Sequence, residues 1–219
     1  MAYEFILGID VMPTAGSSHS VALTAVEKTD EEASQPQYRI ERIEQADELD
    51  DPDAVAEYIQ SLITQKPYVA RTVPVINRTT AAGQAVHDAL ADRGLKVAGV
   101  TLSRGTATVS GDRGEMNASV AVRDAVDMLQ ALYHDGRLDV EPQQNDEASS
   151  RLLRAIEWFS DSGTDESGKE HRVTMPLDTA DDRYEPVMVS TMVACWLGEE
   201  QTFNPTERLK EALQGGPSA

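Results

Sequence analysis

The sequence predicts an α/β domain built on a mixed five-stranded sheet, order 3-2-1-4-5, flanked by helices. Three observations carry this expectation. Three β-rich runs fall between residues 3 and 45 and are separated by turn-forming segments, which is the pattern of a meander. Helical and extended patterns then alternate from residue 52 to residue 102. The chain has 219 residues, 40% of them hydrophobic, which suits one domain with a substantial core.

The first run, Tyr3 to Asp10, is apolar at Phe5, Ile6, Leu7 and Ile9 and reads as a central strand. Pro13 and Gly16 mark a turn, after which SVALTAVE (residues 20–27) alternates as a returning antiparallel strand. QYRIERIEQ (37–45) alternates through Tyr38, Ile40 and Ile43 and makes the third. Asp51 and Pro52 open a helix whose Val55, Tyr58, Ile59 and Leu62 share one face. TVPVIN (72–77) is the fourth strand. Residues 80–93 form a helix closed by Gly94 in the usual position, and KVAGVTL (96–102) is the fifth strand.

Beyond this, residues 103–117 are rich in Gly, Ser and Thr and read as a loop. Amphipathic helices are expected at 119–133 and 146–161, a short extended piece at 171–177, and a strongly apolar helix at 187–197. The predicted domain therefore covers 1–197, with 198–219 as an acidic and polar tail. Three meandering strands followed by helix, strand, helix and strand is the order of an RNase H-like sheet. In that layout the ends of the first and fourth strands and the start of a late helix converge. Here those points are Asp10, Asn77 and Glu185.

Charge constrains the partners. Nineteen basic residues stand against 38 acidic ones, a net charge of -19, and the pI is near 4.4. A lysine-poor acidic surface suits a protein working in molar salt, where screening cancels carboxylate repulsion; an ordinary acidic bacterial or viral protein is the alternative. Such a field repels nucleic acid at low salt. Residues 71–123 are the exception, with seven basic and four acidic residues and a net charge of +3. Either they could face a polyanion, or they form a buried centre that escapes the acidic bias. No run is long enough to span a membrane, and the opening MAYEFILGID has neither a basic n-region nor a cleavage site. The expected location is a host cytoplasm or a virion.

Several ordered segments carry a resemblance. They are FILGIDVMPTAGSSHSVALTAVE, TVPVINRTTAAGQAVHDALADRGLKVAGVTLSRG, VAVRDAVDMLQALYHDGRLDV, LLRAIEWFSD and EPVMVSTMVACW. In this order the chain resembles the C-terminal nuclease domain of the large terminase subunit of tailed viruses, from residue 4 to about residue 197. The DGRL turn and the final helix ending in Ala-Cys-Trp are the more specific parts. The resemblance implies an RNase H-like fold whose family cuts packaged DNA with two Mg²⁺ or Mn²⁺ ions, which need clustered carboxylates about 3.5–4 Å from metal to metal. It aligns Asp10 with the family's first acid. At the second acid this chain has Asn77. The third lies in a His-Asp-Asp run, matched here by Tyr184-Glu185-Pro186 with Asp181 and Asp182 just upstream. The implied active site is thus degenerate, one full negative charge short.

Other patterns are weaker. No GxxxxGK[ST] phosphate loop occurs, so the ATPase half of a packaging motor is absent from this sequence. The four histidines are scattered, and one cysteine, Cys195, permits neither an internal disulfide nor a Cys-based zinc cluster. Trp158 and Trp196 are spaced as core residues, not as a base-stacking platform.

Two functional classes remain open on sequence alone. The first is a non-catalytic viral protein, of a tailed phage or a haloarchaeal virus, that reuses the fold as a structural or assembly component. Its partners would be viral structural proteins or terminase and portal components, and it would need no cofactor. Asn77, the broken final motif and the net charge favour it. The second is a stand-alone Mg²⁺- or Mn²⁺-dependent DNA endonuclease. There Asp10, Glu185 and Asp182 would carry catalysis, with Asp10 and Glu185 on the metal, while Arg78, Arg104 and Arg113 would hold the DNA backbone.

Overall fold

The computed structural model describes residues 4–14, 18–29, 35–103, 108–110, 117–140, 147–160 and 185–200. The predicted meander is present as β1 (Glu4–Pro13), β2 (His19–Thr29) and β3 (Gln37–Leu49), each antiparallel to the next. After α1 (Pro52–Ile63), β4 (Thr72–Asn77) lies parallel to β1; after α2 (Ala81–Asp92), β5 (Ala98–Ser103) lies parallel to β4. The order 3-2-1-4-5 is therefore found as expected. The fold is RNase H-like.

The sheet is larger than five strands. β6 (Thr108–Ser110), β7 (Asn117–Ala121) and β8 (Leu138–Asp139) extend it to eight, in the order β6-β7-β5-β4-β1-β2-β3-β8. Two sequence expectations are corrected here. Part of the 103–117 loop is strand, because β6 pairs antiparallel with β7. The helix expected from residue 119 begins at Val122, because Asn117–Ala121 pairs parallel with β5 and buries Ala118 and Val120. Pairing with the otherwise open edge of β5 overrides the helical pattern of the following segment. α3 (Val122–His134) then follows without a break, its first residue preceded by Ala121, which gives no side-chain cap.

Local chemistry explains the helix starts that were legible. The Asp51 carboxylate accepts from the Ala54 N–H at 2.8 Å, with Pro52 at the first helical position of α1. Thr80 does the same for α2, its hydroxyl accepting from the Gly83 N–H at 3.0 Å. Gly94 closes α2 at a φ of 77°.

Alternation along β1 builds two cores. Phe5, Leu7, Ile9 and Val11 face α1 and α2, meeting Val55, Ile59, Val86 and Leu90. Ile6 and its neighbours face the other layer, made of α3, α4 (Glu147–Ser160) and α5 (Pro186–Glu200). α5 lies between the sheet and the outer helices, so every residue from Pro186 to Gly198 is buried. That is why its sequence is apolar on all sides instead of along one stripe. The helix ends at Glu200, three residues past its predicted end. The extended piece expected at 171–177, and all of 201–219, lie outside the described residues. No helix among the described residues is long and apolar enough to cross a membrane.

The basic middle segment is not simply a buried centre. Its strands β4 and β5 are central, but Arg71, Arg93, Lys96 and Arg123 are exposed at element ends.

Candidate functional site

The strand ends meet as the sequence predicts. Ile9 pairs with Ile76 in the parallel β1–β4 register, so the next residues, Asp10 and Asn77, stand side by side. Asp10 is fully buried and Asn77 is 2% exposed. The Asn77 Nδ2 donates to Asp10 Oδ1 at 2.8 Å.

The amide cannot turn over freely. Asn77 Oδ1 accepts from the Thr79 backbone N–H at 3.1 Å and from the Thr79 hydroxyl at 2.6 Å. A backbone N–H can only donate, so the oxygen must face Thr79 and the NH₂ must face Asp10. The Thr79 hydroxyl in turn accepts from the Leu102 N–H at 2.8 Å. A directed chain of donors thus runs from β5 through Thr79 and Asn77 to the Asp10 carboxylate. Each bond polarises the next in the same sense.

Close backbone packing holds this geometry. A Cβ on Gly83 would lie 2.0 Å from the Asn77 carbonyl oxygen, so only glycine lets the first turn of α2 sit against the end of β4. On the other layer, a Cβ on Gly8 would lie 1.9 Å from the Ser190 carbonyl oxygen. Gly198 approaches Ile6 and Gly8 approaches Ser190 and Ala194, so α5 runs antiparallel to β1. Continuing that register by two strand residues brings Asp10 to the first turn of α5. A buried hydroxyl cluster pins the next turn: Thr24 and Ser190 are 2.7 Å apart, and the Thr191 hydroxyl lies 3.1 Å from that of Thr24.

Glu185 stands immediately before α5. Its carboxylate is forked by Arg151 of α4, with Nη2 at 2.8 Å and Nε at 3.2 Å, and also accepts from the Val187 N–H at 3.3 Å. The bond to Glu185 holds the Arg151 guanidinium above its ordinary range.

Among the described residues, Asp10, Asn77 and Glu185 do not together present the clustered carboxylate oxygens that a two-metal centre needs. At the position of the second acid, an amide N–H donor points at Asp10, where a cation would need an oxygen lone pair. Both Glu185 oxygens are already engaged by a guanidinium. Among the described residues, no group of three or more His, Cys, Asp or Glu side chains is placed to hold a metal ion. Asp181 and Asp182 lie outside the described residues, as do Arg104 and Arg113.

Arg78 is half-buried and tied into the fold. Its Nε donates to Gln84 Oε1 at 2.7 Å, its Nη1 to Asn117 Oδ1, and its backbone N–H to the Val100 carbonyl at 2.7 Å. It joins β4, α2 and β7 where the sequence suggested a phosphate contact.

Two contributors were missed. Thr79 had a readable signal, since an Asn at a strand end commonly accepts from the backbone two residues on in an Asx-turn. Arg151 had none, because its partner is 34 residues away.

No family profile matches the chain, and no curated protein matches it. Among solved structures it is similar to the human cytomegalovirus terminase nuclease domain, determined soaked with manganese and with an inhibitor bound. The two are 16% identical, the match covers 90% of this chain and 84% of that one, and the TM-score is 0.45. A likeness of that size transfers no chemistry.

Proposed function

We propose that this chain is a non-catalytic viral protein that reuses a terminase-nuclease-like fold as a structural or assembly component. The reading rests on one observation above the others, the donation from the Asn77 amide to Asp10. A two-metal nuclease needs its strand-end acids to present lone pairs to cations. Here the neighbour of Asp10 presents hydrogens, and its orientation is fixed by Thr79.

The acidic surface directs the protein toward other proteins and away from DNA, with viral structural, terminase or portal components as partners. Molar salt would suit its surface, since screening removes most carboxylate repulsion. The competing reading is a stand-alone metal-dependent DNA endonuclease. One observation favours it: Asp10 is buried where β1 and β4 end side by side, where that chemistry would sit.

Calorimetric titration with Mn²⁺ and Mg²⁺, at low and molar KCl, separates the two. The wild type and Asp10→Ala should show the same weak uptake, typical of an acidic surface. Stoichiometric uptake lost in Asp10→Ala, together with metal-dependent DNA cleavage, would overturn the non-catalytic reading.

A further inference from the structure

We propose that Arg151 takes the place of a divalent cation at the head of α5, so that this part of the fold is neutralised from within the chain. The inference rests on the non-catalytic reading above and extends it to a residue that reading does not use.

Glu185 sits where the chain enters α5, in which every residue from Pro186 to Gly198 is buried. Its side chain is 20% exposed and that of Arg151 is 31% exposed, so the pair is part-buried. A part-buried carboxylate at a helix N-terminus, already accepting from the Val187 N–H, is further stabilised by a positive partner, and two kinds can serve: a metal ion or a side-chain cation. Among the described residues, the groups placed at this end of the fold include Asp10 from β1, the neutral Asn77 from β4, and Arg151 from α4. Of these, Arg151 is the cation that touches Glu185. It does so through two N–H groups at 2.8 and 3.2 Å, a planar fork that matches a carboxylate and that a lysine cannot reproduce.

The consequence is structural as well as electrostatic. The fork joins Glu185 to α4, the outer helix, and so fastens α4 to the start of α5. A guanidinium stays charged at every working pH, which makes the fastening independent of metal supply.

The test uses the full chain and Mn²⁺ alone as the probe, with free ion followed by electron paramagnetic resonance in molar KCl. Four proteins are compared: wild type, Arg151→Met, Arg151→Lys, and Arg151→Met combined with Glu185→Gln. Arg151→Met should bind Mn²⁺ at least about tenfold more tightly than the wild type. Arg151→Lys, which keeps the charge, should behave like the wild type, and the double variant should lose the gain. If Arg151→Met does not fold, Arg151→Gln keeps a donor for Glu185 and carries the same comparison. Neutral variants that take up no more Mn²⁺ than the wild type would overturn the proposal. An equal gain in the variant lacking Glu185 would also overturn it, because the uptake would then belong to the surface at large. The two readings fail separately. Stoichiometric uptake by the wild type, lost in Asp10→Ala, removes the non-catalytic reading. The Arg151 proposal then stands or falls on whether neutralising Arg151 adds uptake through Glu185.

Discussion

Asn77 and Asp10, 67 residues apart in sequence, are joined side chain to side chain at 2.8 Å inside the sheet. The direction of that bond matters more than its length. The amide gives a hydrogen to the carboxylate, because Thr79 holds the amide oxygen on the other side. A buried acid is thereby satisfied by a neutral neighbour.

Replacing Asn77 with Asp reverses the arrangement. Two carboxylates then share one buried site, and one of them must hold a proton to remain there. In chelator the variant should be about 3 kcal/mol less stable at pH 8, the scale of an uncompensated buried charge. The sign with pH follows from linkage. A carboxyl whose folded pKa is raised binds more protons folded than unfolded, so stability falls as pH rises through the window above ~4. Melts from pH 5 to pH 8 should show a downward slope for Asn77→Asp that the wild type lacks. Parallel curves would mean that the Asp10–Asn77 contact does not set the local electrostatics.

Gly8 controls how closely α5 meets the sheet. A Cβ there would fall 1.9 Å from the Ser190 carbonyl oxygen, which is helix backbone and cannot rotate aside. Gly8→Ala should therefore lose at least about 3 kcal/mol in denaturant unfolding. Gly94→Ala is the control, since nothing lies within 4 Å of the added carbon and only its φ of 77° is strained. It should lose about 1 kcal/mol. Similar losses for the two would show that α5 can shift off β1 easily.

Lys28 secures the opposite end of the same helix. It is 4% exposed, and its Nζ donates to the Gly198 carbonyl at 2.7 Å, placing a cation at the helix C-terminus. Lys28→Met keeps most of the aliphatic stem and removes the charge. Unfolding should show a loss of about 2 kcal/mol, the value of a hydrogen bond to a charged group. An unchanged midpoint would show that water or another group caps the helix equally well.

The five central strands were legible because each depends on its own residues. β1 is apolar on both faces, and β4 runs TVPVIN between a turn and a helix cap, so hydrophobic pattern and turn chemistry agree. The outer strands were not legible for the opposite reason. β7 carries only NASVA and becomes a strand because β5 offers it an edge, and β8 is two residues long. At the site, Asp10, Asn77 and Glu185 could be marked from strand and helix ends. The engagement of Glu185 could not, since it depends on Arg151, 34 residues away; the direction of the Asn77 amide is set locally by Thr79 but matters only because β1 brings Asp10 beside it from 67 residues away. Asp10 and Asn77 are brought together, while the Glu185 carboxylate is taken up by Arg151.

Tyr58 offers a test of the buried polar contacts between α1 and β3. Its hydroxyl donates to Glu44, and burial, followed by that carboxylate, pushes the phenol up to about 12. Tyr38 moves further in the same direction, by burial first and then by its bond to Glu199. Burial raises the Tyr68 phenol as well, so three of the six tyrosines should resist ionisation while the chain is folded. The sign follows directly. A phenol whose folded pKa is raised keeps its proton in the folded state after the unfolded chain has lost it. Its contribution is complete below pH 10 and is lost as pH climbs from 10 to about 12 for Tyr58. Tyrosinate absorbance should show Tyr58 titrating late in the wild type, and Tyr58→Phe should remove that late step. The stability gap between the wild type and Tyr58→Phe should narrow across the same window. A gap that stays constant through it would mean that Glu44 does not hold the phenol in solution, and that the contact between α1 and β3 is made by apolar packing alone.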